Sequence, residues 1–146
     1  MKILVSSCLL GDNCKYNGGN NYSNEINEYL KDKDYIKVCP ECLGGLSVPR
    51  SPSEIVGDRV VNKEGHDVTE EFHKGARETL KIAKEGKVTE AILKSNSPSC
   101  GCGKIYDGTF SNCLINGDGI TTRLLKENGI KVIGSCEFSS GNRNIK

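Results

Sequence analysis

"KILVSSC" (residues 2–8) is a short apolar run with no polar alternation, and it closes on a cysteine. Runs of this kind suit a strand buried on both faces of a parallel sheet, where neither side meets water. Three more follow along the chain: "YIKVC" (35–39), "EAILKS" (90–95) and "IKVIGS" (130–135). Helical patterns separate them. "SNEINEYLKDK" (23–33) offers Ser23 as an N-cap and places Ile26, Tyr29 and Leu30 on one face. From Val68 to Glu85 the residues Val68, Phe72, Ala76, Leu80 and Ala83 share a face; Asp67 with Glu70 resembles a capping pair, and Gly86 suits the C′ position. "GITTRLLKENG" (119–129) buries Ile120, Leu124 and Leu125 and ends at Gly129. Alternation of strand and helix predicts parallel pairing with right-handed crossovers.

The expected fold is therefore α/β, a single-domain Rossmann-like three-layer sandwich with a four-stranded, mostly parallel sheet. Residues 44–68, "GGLSVPRSPSEIVGDRVVNKEGHDV", are too long and too rich in Gly and Pro for a bare connection. A small hairpin insertion is expected there, with "DRVV" and "DVT" as its strands, forming a flap beside the site. The domain is expected to span 1–137, followed by a polar tail over 138–146.

At 146 residues the chain is long enough to bury a real core. Twenty Lys and Arg against 19 Asp and Glu leave a net charge of +1, which gives no electrostatic ground for a long nucleic acid or an acidic membrane as partner. Apolar runs stay far below membrane-spanning length, and "MKILVSSCLLG" lacks the plan of a cleavable signal peptide, so a cytoplasmic protein is expected. The absence of Trp and the few other aromatics argue against a stacking platform for single-stranded nucleic acid.

Eight cysteines in such a chain point to a metal, a cluster or redox chemistry more than to disulfides. Their placement is informative. Cys8 ends the first strand and Cys39 the second; Cys100 follows the third and Cys136 the fourth. In open α/β sheets ligands bind beyond the carboxyl ends of the strands, so these thiols are expected to converge on one edge. Thiolates are soft ligands for zinc or an iron–sulfur cluster. "CPEC" (39–42) is a zinc half-site by spacing, yet "CGC" (100–102) makes a poor second knuckle. A redox dithiol is the third reading, weakened because Pro40 and Glu41 supply no charge that would stabilise a thiolate.

Four segments carry a resemblance: "VSSCLLGDNCKYNGG" (5–19), "VCPECLGGLSVPRSPSEI" (38–55), "GHDVTEEFHKGA" (65–76) and "AILKSNSPSCGCGKIYDGTF" (91–110). Together they resemble the thiouracil desulfidase family, in order from Lys2 to about Val132. The resemblance implies a [4Fe-4S] cluster held by three cysteines, one per motif: Cys8, Cys39 and Cys100. It implies a fourth iron left free for the sulfur of a small thiolated pyrimidine, as base or nucleoside, such as 2-thiouracil, 4-thiouracil or 4-thiouridine. It also places functional weight on Glu41, Ser97 and Ser99. Glu41 would deprotonate the attacking water, and the two serines would orient the ring or donate to the developing anion. Sulfur would leave as hydrosulfide with no net electron transfer.

Cys42, Cys102, Cys113 and Cys136 exceed the simplest family pattern, while Cys14 is compatible with it without being a ligand. If Cys136 bound the fourth iron, a non-catalytic or electron-carrying iron–sulfur protein would result; a zinc-stabilised binding module is the other alternative. Ser97 and Ser99 could instead form the turn that Pro98 enforces. Arg50 is equally consistent with a substrate contact and an ordinary surface role.

Overall fold

The computed structural model describes residues 2–139. Four parallel strands form its sheet: β1 (Lys2–Ser6), β2 (Asp34–Val38), β5 (Val88–Leu93) and β8 (Lys131–Gly134). Their spatial order is β2-β1-β5-β8, with Leu4 level with Ile36 on one side and Ala91 on the other. The first crossover runs one way from β1 and the rest run the other way. The switch point, where such folds bind ligands, therefore lies between β1 and β5.

Side chains alternate across the sheet, as the two-residue period requires. Leu4, Ala91, Leu93 and Val132 join one apolar cluster; Ile3, Val5, Ile92 and Ile133 join another. The first is covered by α3 (Thr69–Glu85), which contributes Ala83, and α4 (Ile120–Glu127), which contributes Leu125. The second lies under α1 (Asn24–Leu30), through Ile26 and Leu30. Ser23 caps α1 as expected, its hydroxyl accepting from the Ile26 amide at 3.2 Å. The expected three-layer α/β architecture is what the chain adopts.

Details differ. The hairpin pairs β3 (Ser53–Val56) with β4 (Arg59–Asn62), so "SEIV" rather than "DVT" partners "DRVV". Asp67 makes only an isolated bridge to Val61, and its carboxylate accepts from the amide of Thr69, the first residue of α3, at 2.9 Å. A second small hairpin, unforeseen, joins β6 (Lys104–Tyr106) to β7 (Leu114–Asn116). Gly86 does not take the left-handed C′ position; it closes α3 at φ −85, and Lys87 makes the left-handed turn at φ 55. Space explains the glycine, since a Cβ there would meet the Ile36 Cδ1 at 2.5 Å. Two short helices complete the chain, α2 (Pro40–Leu43) and α5 (Ser135–Ser139). The expected tail thus begins inside α5, and 140–146 lie outside the described residues.

Where α2 crosses α3, Gly44 and Gly75 let the two backbones touch. A Cβ on Gly44 would overlap the Glu71 carbonyl oxygen, and one on Gly75 would overlap that of Pro40.

Candidate active site

A cavity of about 410 Å³ opens beyond the carboxyl ends of β2, β1 and β5, within the range of small-molecule sites. Cys8 reaches it from the 3-10 turn Ser7–Leu10 that follows β1. Cys39 reaches it from the junction of β2 and α2, and Cys100 from the turn after β5. Three thiols separated by up to 92 residues of sequence thus line one cavity. Glu41, on the first turn of α2, and Ser97 line the same space.

The loop carrying Cys100 is held rigidly. Its carbonyls receive the opening amides of α4: Ile120 donates to Pro98 at 2.8 Å and Thr121 to Ser99 at 2.9 Å. Thr122 Oγ1 donates to the Cys100 carbonyl at 2.9 Å. Ser97 Oγ accepts from the Ser99 amide at 3.1 Å and the Cys100 amide at 2.7 Å, which sets the turn. Ser99 is 1% exposed, pairs with Thr121 Oγ1 at 2.8 Å and is not among the cavity-lining residues.

Each of two thiols has a side-chain donor of its own. Ser6 Oγ donates to Cys100 Sγ at 3.6 Å while accepting from the Lys94 amide at 2.9 Å. Asn21 Nδ2 donates to Cys8 Sγ at 3.4 Å. Burial pushes the Cys100 thiol up to about 11, with the Ser6 hydroxyl pulling the other way. Cys14, set aside on sequence grounds as a ligand, also lines the cavity, 3.2 Å from Ser7 Oγ. It sits beside Cys39 and Cys8, whose hydrogen bonds lower its thiol below the usual cysteine range, while both partners are raised.

Glu41 is tied to Arg50, whose Nε donates to Oε1 at 3.1 Å; their side chains are 19% and 9% exposed. Burial raises the Glu41 carboxyl, and the Arg50 guanidinium opposes that rise. Arg50 also donates to the carbonyls of Ser47 at 3.1 Å and Cys14 at 3.0 Å. It therefore anchors the catalytic candidate rather than lying idle at the surface. The remaining thiols stand apart from the cavity. Cys136 and Cys113 are exposed, Cys102 donates to the Val132 carbonyl at 3.5 Å, and Cys42 lies 4.0 Å from Arg50 Nη1.

Among the described residues no three His, Cys, Asp or Glu side chains close on a point that would hold a single metal ion. The thiols line one cavity large enough for a group of several atoms, and this soft donor set fits a polynuclear iron–sulfur group. Sequence reasoning missed Ser6, Asn21, Lys94, Glu54, Tyr106 and Phe110 at this cavity. Only "SSC" carried a signal, a hydroxyl two residues before a ligand candidate.

Comparison with known proteins agrees with the motif resemblance. The uncharacterized protein YbbK of Bacillus subtilis (strain 168) is 46% identical over 147 residues, covering 94% of this chain and 97% of that protein. The solved structure of the [4Fe-4S]-dependent thiouracil desulfidase TudS matches with a TM-score of 0.88 at 40% identity, over 95% of this chain and 93% of that one. The family model for 2-thiouracil desulfurase matches residues 3–137, from β1 into α5, and the chain belongs to that family.

Proposed function

We propose that this protein is a [4Fe-4S]-dependent desulfidase that converts the C=S of a small thiolated pyrimidine to C=O and releases hydrosulfide. One observation carries the reading: Cys8, Cys39 and Cys100 line one cavity together with the part-buried Glu41–Arg50 pair. These three cysteines would hold the cluster. When bound, a cluster with one iron free of cysteine supplies a Lewis acid for the substrate sulfur.

The protein's own residues supply the rest. Arg50 keeps Glu41 oriented and favours its ionised form against burial. With Oε1 committed to Arg50, Oε2 takes the proton of the water that attacks the ring carbon. Because burial raises the carboxyl above its ordinary value, its ionised form is a stronger base than a free glutamate. Ser97 stands at the cavity wall as the ring-side hydroxyl, and Ser99 acts through the turn that sets Cys100. Ser6 and Asn21 hold the ligand thiolates by hydrogen bonds, as second-layer partners do in metal sites. Thiocarbonyl and water become carbonyl, hydrosulfide and a proton, with no change in oxidation state.

Anaerobically reconstituted protein is incubated with 2-thiouracil, 4-thiouracil and 4-thiouridine without reductant. The expected result is equal amounts of hydrosulfide and oxo-pyrimidine from at least one of them. Failure to turn over any of the three contradicts the reading.

A further inference from the structure

Left-handed backbone concentrates at the cavity. Of the four described non-glycine residues with positive φ, three line it: Asn96 (φ 71), Phe110 (φ 57) and Asn112 (φ 63). Asparagine tolerates this region, whereas a bulky aromatic does so only when its surroundings impose it.

What imposes it is Glu54, on β3. This carboxylate is 8% exposed, and its Oε1 accepts from the Gly108 amide at 2.9 Å and the Phe110 amide at 3.1 Å. Gly108 presses against the same strand, where a Cβ would come within 2.8 Å of the Ile55 carbonyl oxygen. The loop 107–113 is thus fastened to the first hairpin by a buried side chain that accepts two of its amides. The part-buried Phe110 side chain belongs to none of the three apolar clusters. A half-buried aromatic in an unfavourable conformation, held by a buried carboxylate and facing a cavity, is placed for a ligand.

We propose that Phe110 is the stacking residue for the planar ring of the substrate, with Glu54 as its positioning residue. Taking that ring to be a thiolated pyrimidine rests on the desulfidase reading. The aromatic face gives sequence-tolerant dispersion and quadrupole contact to a flat heterocycle. It discriminates against a saturated, puckered ring that carries the same thiocarbonyl.

The test compares equilibrium binding of 2-thiouracil and 5,6-dihydro-2-thiouracil to anaerobic wild type, Phe110→Leu, Phe110→Tyr and Glu54→Ala, with iron content and hydrosulfide release measured alongside. Phe110→Leu is expected to weaken 2-thiouracil roughly tenfold, from the usual contribution of one base–aromatic stack, and to leave the dihydro compound unchanged. Phe110→Tyr retains wild-type affinity, and Glu54→Ala reproduces the Leu pattern with iron content intact. Equal loss for both ligands, or no loss for either, overturns the stacking role, as does a wild type that binds neither. Wild type that binds 2-thiouracil selectively through Phe110 yet releases no hydrosulfide leaves the stacking role standing and removes the desulfidase reading.

Discussion

Glu41 shows how a residue's chemistry is set by what surrounds it. Its position between Cys39 and Cys42 marks it in the sequence, but its partner Arg50 lies nine residues on, directly after Pro49. Nothing in spacing links the two; the turn after α2 does, by folding Arg50 back onto three acceptors. Glu41→Gln keeps the shape and removes the base. The account expects kcat to fall by about a hundredfold or more while iron and sulfide content stay at wild-type levels. Loss of the cluster with the activity would instead make Glu41 structural. Asn21 was illegible for the same reason as Arg50. It reaches Cys8 from a loop 13 residues away, and one asparagine beside Asn13, Asn17 and Asn20 carries no sequence signal.

At the level of elements, the long apolar runs and amphipathic helices were legible because burial on both faces, or on one stripe, imposes a period. The hairpins were legible only in part: the insertion over 44–68 was expected with "DRVV" as one strand, but its partner strand and the second hairpin were not. Leu114 and Ile115 in β7 are exposed, so no burial pattern marks them as strand. "SEIV" sits just past two prolines that signal loop. Two element-scale predictions follow from contacts that only the fold reveals. Gly75→Ala drives a methyl into the Pro40 carbonyl, displacing α2 and with it Cys39 and Glu41. It should lower the melting temperature and the iron content together. Asp67 accepts from the Thr69 amide at the start of α3 and is held low, at about 2, by Thr69 beside it and by the Arg59 guanidinium. Because its folded value lies below its ordinary 3.8, its stabilisation is present above that pH and fades as pH falls toward 2. Asp67→Ala should therefore melt a few degrees lower than wild type at neutral pH, with the gap narrowing between pH 4 and pH 2.

For the molecule as a whole, topology does the assembling. Parallel strands aligned β2-β1-β5-β8 carry Cys39, Cys8 and Cys100 to one edge, and this much could be read from runs that end on cysteine. The same rule overreached with Cys136, which follows β8 but enters α5 facing solvent. It also underreached with Cys14, which no strand end announces and which shares the cavity. Strand ends select an edge; side-chain direction and loop path decide which thiols enter. Membership of the site is therefore the claim to test, and iron counting in cysteine variants tests it most directly. Single Cys→Ser variants at positions 8, 14, 39, 100 and 136 are reconstituted anaerobically, and iron and acid-labile sulfide per chain are measured. The account predicts loss of the cluster at 8, 39 and 100, and wild-type iron at 14 and 136; full iron in the Cys100 variant, or none in the Cys14 or Cys136 variant, contradicts it.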